Sequence, residues 1–284
     1  MIIGQKDLLD KIQKQIDEEL FPRFSIFVGA SGSGKKTIMR YIAKTKMRMA
    51  VYELEDVKVD TVRKMIDDSY KVATPTVYIM ADTQNMSLAA KNAILKITEE
   101  PPNKAYFMIS TTSLEELLDT IKSRGTTYYM RPYSLEEKVK YLDAKKKRLD
   151  DYERDLILEV SNTLHDIDKL LKSNPGDMYD YIDYVLDNIA DINMAHVLKL
   201  PQKIAFKEED DKFDLMLFWK MCCYNLKNRL DEDMDHAKMY ADMISCTVRK
   251  MSEVHTPSVS KSNTYDMWLL DLRKIIKKYK VDES

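Results

Sequence analysis

Half of the glycines in this chain stand within six positions of one another. Gly29, Gly32 and Gly34 are three of only six glycines in 284 residues, and they fall in the run Gly29-Ala30-Ser31-Gly32-Ser33-Gly34-Lys35-Lys36-Thr37. Before this run stands Phe24-Ser25-Ile26-Phe27-Val28, a short apolar stretch that reads as a buried strand. After it, from Lys35 to about Met47, apolar residues recur at helical spacing. A strand that feeds a glycine-rich turn and leaves as a helix curls its backbone so that N–H groups face an anion, with the helix N-terminus aimed at the same point. The spacing is that of G-x-x-x-x-G-K, in which the lysine, here Lys35, reaches the β- and γ-phosphates of a nucleotide. The following position usually gives a hydroxyl to Mg²⁺. Here it is Lys36, whose ammonium cannot ligate a cation, and Thr37 beside it points elsewhere on a helix. The expected cofactor is therefore ATP or ADP, held by Gly29, Gly32, Ser33, Gly34, Lys35, Lys36 and Thr37. No metal ligand from the protein is expected, and Mg²⁺ is left open.

Around this loop the pattern alternates. Residues 5–20 read as a helix ended by Phe21-Pro22. Strands are expected at Val51–Leu54, Val77–Ala81, Tyr106–Ser110 and Thr127–Met130. Helices are expected at 58–72, from Ser87 to about Thr98 and over Leu114–Ile121. Strands alternating with helices predict an α/β layer with a parallel sheet covered on both faces, over residues 1–133. Beyond Pro132 nearly everything reads as charged, amphipathic helix. Breaks near Asn174-Pro175-Gly176, Pro201 and His255-Thr256-Pro257-Ser258 suggest a small helical domain at 134–174 and an all-α domain at 175–284. Within the latter, a helix over about 204–230 (Leu215, Leu217, Phe218, Trp219, Met221, Tyr224, Leu226) is too apolar to face water on all sides.

Composition removes several alternatives. Charged residues are 32% of the chain, yet the net charge is −2, so contact with nucleic acid needs a local basic patch or helix ends rather than the whole surface. No apolar run is long enough for a membrane helix, and the N-terminus does not read as a signal peptide. A cytoplasmic location is expected. Cys222, Cys223 and Cys246 lack metal-site spacing and read as reduced thiols in helices.

The stretch Val77–Arg124 carries a longer pattern. Asn92-Ala93-Ile94-Leu95-Lys96 followed by Glu99-Glu100-Pro101-Pro102, then Phe107 with Thr111-Thr112, then Thr120-Ile121-Lys122-Ser123-Arg124, resembles the AAA+ subunits of clamp loaders. These are the gamma and delta-prime subunits of the DNA polymerase III complex and the small subunits of replication factor C. The resemblance covers about residues 24–130, is weaker over 131–174, and is only a pattern of helices beyond. It implies an AAA+ P-loop domain, a helical lid and an all-α collar that holds subunits together. It also implies partners: other clamp-loader AAA+ subunits in a hetero-pentamer, the sliding clamp, and primer-template DNA reached through the assembled complex.

Roles carry over residue by residue. Ala81-Asp82 occupy the Walker B positions, where active members have Asp-Glu, so Asp82 is a degraded remnant of a pattern that looks like delta-prime. Thr111 and Thr112 match sensor 1, which reads the γ-phosphate; helix capping by Thr112 or Ser113 is the plainer alternative. Arg124, in Ser-Arg-Gly where the family has Ser-Arg-Cys, matches the finger that acts in trans on a neighbour's nucleotide; a surface ion pair is its plainer role. His165 stands at the sensor 2 arginine position and is a weak phosphate clamp. Because hydrolysis needs every group aligned and binding needs fewer, Lys36, Ala81 and His165 together imply a subunit that binds nucleotide and hydrolyses it poorly. An active motor subunit, an AAA+ helicase loader and a standalone P-loop kinase are the alternatives. Lys64, Lys91, Lys96 and Lys104 are the candidate DNA-facing lysines.

Overall fold

The apolar runs form one parallel sheet. In a computed structural model, which describes residues 2–172, 175–191, 215–253 and 261–282, the strands are β1 (Phe24–Val28), β2 (Ala50–Glu53), β3 (Thr76–Met80), β4 (Ala105–Thr111) and β5 (Thr126–Tyr129). Their order is β2-β3-β4-β1-β5, and every neighbouring pair is parallel. Val28 lies opposite Thr111 and Tyr129, and Met80 opposite Ile109. The carboxyl ends of β1, β3 and β4 therefore finish along one edge of the sheet.

Strand side chains alternate between faces, and here both faces are filled. Ile26, Val28, Tyr78, Met80, Phe107 and Ile109 belong to one core cluster, with Val62, Met65, Ala90 and Ile97 from helices α3 (Val59–Ser69), α4 (Leu88–Ala93) and α5 (Leu95–Glu99) and Ile94 from the joint between the last two. The intervening Phe27, Val77, Ile79 and Met108 belong to a second cluster, with Ile12 of α1 (Lys6–Asp17) and Ile38 and Met39 of α2 (Lys35–Tyr41). Two covered faces explain why these strands read as continuous apolar runs rather than alternating ones. The layer is completed by α6 (Asp119–Lys122) and α7 (Leu135–Ala144).

Three predicted helices take a different form. The one from Lys35 to Met47 ends as α-helix at Tyr41 and continues as a π-turn over Ile42–Lys46. The one from Ser87 is broken at Ile94 into α4 and α5, with the Ser87 hydroxyl accepting from the Ala90 amide to cap the first. The segment 114–121 is not one helix. A 3₁₀ turn at Leu114–Glu116 is capped by Ser113, Leu117 and Leu118 are extended, and α6 begins at Asp119. The extended link buries Leu117 in the core, which one continuous helix would not do.

The chain divides into two compact units, Met1–Ala144 with Thr163–His165, and Lys145–Asn162 with Asp166–Ser284. The second is helical: α8 (Asp151–Val160), α9 (Leu164–Lys172, whose first residues count with the first unit), α10 (Pro175–Asn188), α11 (Leu215–Glu232), α12 (Ala237–Glu253) and α13 (Lys261–Asp282). Asp150 and Glu153 form a reciprocal capping box at the start of α8. The core of this unit is aromatic. Phe218 and Trp219 of α11 pack on Tyr265 and Trp268 of α13, and the Trp268 indole N–H donates to Thr247 Oγ1 of α12 at 2.9 Å. Arg229 joins α11 to α10 through Asp183 at 2.7 Å and Asp187 at 2.6 Å. Pro201, the 255–258 break and the 204–214 part of the apolar helix lie outside the described residues. Cys222 and Cys246 are buried, Cys223 partly so, and all three are free thiols.

Candidate functional site

The glycine loop leaves β1 at the carboxyl edge of the sheet. Gly32 and Gly34 have φ of +74° and +85°, a left-handed backbone in which a Cβ would be strained, and a Cβ on Gly32 would meet Thr163 Oγ1 at 2.9 Å. Gly34 is the N-cap of α2, and no side chain caps that helix. Its first amides are thus presented to whatever the loop encloses.

Lys35, the first residue of α2, is 5% exposed. Its ammonium folds back across the loop and donates to the Gly29 and Ala30 carbonyls at 2.7 and 2.8 Å. Burial lowers its pKa and the nearby Asp82 carboxylate partly restores it. The Ser33 hydroxyl is buried and has no hydrogen-bond partner. A curled backbone, a folded-back lysine and an orphaned hydroxyl form a cradle that fits a phosphate group.

The neighbouring strand ends close on this loop. The Gly29 amide donates to the Thr111 carbonyl at 3.3 Å. Past β3, Ala81 offers no ligand, and Asp82 adopts a left-handed φ of 56°. The Asp82 amide donates to Ser110 Oγ at 3.1 Å, and its carboxylate accepts from Gln84 Nε2 at 3.3 Å. It does not cap the next turn. The two threonines are engaged. Thr112 donates to Glu116 Oε2 at 2.8 Å, and Thr111 lies 2.9 Å from the Ser113 carbonyl and 3.2 Å from Glu116 Oε2. Neither caps the following turn; Ser113 does, accepting from the Glu115 amide at 3.2 Å.

Lys36 turns away to Glu53 at the end of β2, at 3.6 Å. Glu53 is also gripped by Arg40, one turn along α2, through two bonds of 2.6 Å. These bonds hold the Glu53 carboxyl below its usual pKa. Among the described residues no group of three or more His, Cys, Asp or Glu could hold a metal ion. With a lysine at the hydroxyl position and an alanine at the first carboxylate position, the donor set does not fit a protein-held Mg²⁺.

Arg124 lies elsewhere. It precedes β5, level with the residue before the β1 amino end, six residues below Gly29 and so roughly 20 Å from the loop along the strand direction. It donates to the Thr120 carbonyl at 2.9 Å and pairs with Glu99 at 2.8 Å. His165, by contrast, sits against the loop, its Cβ 3.0 Å from where a Cβ on Gly32 would stand.

Sequence reasoning missed Tyr133, which buttresses the loop, and Gln5, which holds the backbone two residues before Tyr133. The Tyr133 hydroxyl donates to the Ser33 carbonyl at 2.8 Å and lies 3.2 Å from where a Cβ on Gly34 would stand. Burial first, and Glu137 next, push its pKa up to about 12, so it stays a donor. Gln5 is buried and clamps the Arg131 backbone through both ends of its amide, at 2.6 and 3.1 Å. The available signal was that Arg131-Pro132-Tyr133 follows the last strand.

Parts of this chain are similar to known proteins. A family profile described as "DNA polymerase III, delta subunit" matches residues 46–134. The DNA polymerase III subunit gamma of Buchnera aphidicola subsp. Baizongia pistaciae is 26% identical over 165 residues, 48% of this chain and 45% of that protein. The DNA polymerase III subunit delta′ of Escherichia coli is 34% identical over 77 residues, 26% of this chain and 23% of that protein. The chain is similar to the AAA+ subunits of clamp loaders. It spans about half the length of the gamma and tau relatives it matches. The crystal structure of a DNA polymerase III gamma subunit-related protein from Thermotoga maritima superposes with a TM-score of 0.51 at 16% identity, covering 94% of this chain and 99% of that one. The fold, a parallel α/β layer followed by an all-helical region, is thus shared with a solved structure. Among the described residues no helix is long and apolar enough to cross a membrane.

Proposed function

We propose that this chain is a subunit of a sliding-clamp loader that binds ATP or ADP in the Gly29–Thr37 loop, hydrolyses it poorly, and supplies Arg124 to a neighbour's nucleotide. The observation that carries this reading is an asymmetry within one site. The phosphate cradle is complete, with Lys35 buried across it. The groups that metal-assisted hydrolysis needs are replaced or engaged: Lys36 pairs with Glu53, Ala81 carries no carboxylate, and both threonines are bonded to Glu116. Phosphoryl transfer is positioning plus charge stabilisation, so it fails when several parts are displaced, while binding survives on the loop. The position of Arg124, on the far side of its own sheet from its own loop, supports a role in trans, where an always-charged planar fork suits phosphate oxygens.

In this reading residues 1–133 are the AAA+ nucleotide-binding domain, 134–174 the lid and 175–284 the collar. The partners are other AAA+ subunits in a hetero-pentamer, the sliding clamp and primer-template DNA, in the cytoplasm. Of the candidate DNA-facing lysines, Lys91 donates to the Glu116 carbonyl at 2.5 Å and Lys104 to the Ala73 carbonyl at 2.6 Å. Lys96 lies over the Tyr70 ring at 5.0 Å. These three are thus partly committed within the chain, and Lys64 is the best single position for a charge-reversal test.

The test uses the purified chain. It should bind a fluorescent adenine nucleotide and release phosphate no faster than its Lys35→Ala variant. In the reconstituted complex, Arg124→Ala should lower ATPase without loss of assembly. A robust ATPase in the isolated chain, abolished by Lys35→Ala, would overturn the poor-hydrolysis reading.

A further inference from the structure

The turn after β4 places a carboxylate where phosphate-reading hydroxyls should be free. We propose that Glu116 sets the nucleotide selectivity of this site, occupying Thr111 and Thr112 so that the loop prefers a nucleoside diphosphate to a triphosphate. The proposal rests on the reading of the loop as a nucleotide site and of these threonines as its γ-phosphate sensors.

A threonine hydroxyl has one proton to donate. That of Thr112 goes to Glu116 Oε2 at 2.8 Å. That of Thr111 is divided between the Ser113 carbonyl at 2.9 Å and the same Glu116 oxygen at 3.2 Å. Thr111 stands at the loop itself, because its carbonyl accepts from the Gly29 amide. A terminal phosphate seeking these donors must take them from Glu116, and its negative charge must approach a carboxylate that already holds them. A diphosphate meets neither obstacle, since Lys35, the loop amides and the start of α2 suffice for it.

Glu116 is held where it is by its surroundings. It ends the 3₁₀ turn capped by Ser113. Its carbonyl accepts from Lys91 of α4 at 2.5 Å, and the next residue, Leu117, is buried in the core at 4% exposure. The carboxylate itself is exposed, so replacing it should leave the core intact.

The test is calorimetric titration of the chain, its Glu116→Ala and Glu116→Gln variants and a Glu115→Ala control, each with ADP and with ATP. The parent should prefer ADP by about tenfold or more, near 1.4 kcal/mol. Glu116→Ala should bring ATP to within about threefold of ADP by tightening ATP while ADP moves less than about twofold. Glu116→Gln, which keeps the shape and removes the charge, should fall between them, and Glu115→Ala should match the parent. A parent that prefers ATP, or a preference unchanged in both Glu116 variants, overturns the proposal while leaving the loop assignment intact. Absence of binding of either nucleotide to the parent overturns the loop assignment and this proposal with it.

Discussion

Lys35→Met separates what the loop lysine does for binding from what it does for folding. The ammonium is 5% exposed and donates to two neutral carbonyls, at 2.7 and 2.8 Å. Hydrogen bonds to a charged group contribute about 1.5–3 kcal/mol each, and burying an ammonium costs several kcal/mol. These oppose each other, so an apolar side chain of similar length should change the free energy of unfolding by less than about 1 kcal/mol. With a nucleotide bound the balance differs, because a phosphate oxygen replaces the carbonyls and makes a charge-assisted bond. Losing one such bond, about 1.5–3 kcal/mol, weakens binding roughly 10- to 150-fold. The assay is a pair of measurements on each protein: calorimetric titration with ADP, and urea unfolding without nucleotide. A Lys35→Met protein that folds normally and binds ADP within about threefold of the parent would refute the assignment of this lysine to a phosphate.

Other outcomes follow from the same geometry. Glu53 holds Arg40 and Lys36, and the Arg40 guanidinium above all keeps its folded pKa below the usual glutamate value, so its contribution is present above that value and is lost as the pH falls through the lowered one. Urea unfolding of the parent should show this loss below about pH 4.5, and Glu53→Gln, less stable by about 1 kcal/mol at pH 7, should show a shallower acid limb. Trp268 is fully buried and its indole N–H is bonded to Thr247. Trp268→Phe should destabilise the helical unit by about 1–3 kcal/mol and Trp268→Ala by about 3–5 kcal/mol, read from near-ultraviolet dichroism during denaturation. Burial raises the Cys222 thiol well above its usual value and pushes Cys223 up to about 11. Neither should react quickly with a thiol reagent at pH 8 until the chain is unfolded, and rapid labelling of Cys222 in the native protein would contradict its place in the core.

The parts of this structure that were legible in the sequence are those set by local pattern. β1, β3 and β4 could be read because a strand buried on both faces is apolar at most positions, and the glycine spacing announced the left-handed turns at Gly32 and Gly34. The cuts within 87–99 and 114–122 were hidden, because helical periodicity survives a one-residue break at Ile94 and an extended link at Leu117-Leu118. What fixes the second cut is tertiary: Leu117 enters the core and Glu116 reaches back to Thr111 and Thr112. The fate of Lys36 was half legible. Its chemistry excluded a metal ligand, but its pairing with Glu53 depends on where β2 ends. Tyr133 and Gln5 gave no periodic signal at all, since each acts through a single polar group on a backbone distant in sequence.

Assembly with nucleotide retained is the property that distinguishes a clamp-loader subunit from a lone P-loop protein. Native mass spectrometry of the complex purified through this chain, in a buffer free of added nucleotide, measures both at once. The expected result is a five-subunit assembly with other AAA+ chains in which this subunit keeps one adenine nucleotide. A lone monomer, or a closed ring of six copies of this chain, would contradict it.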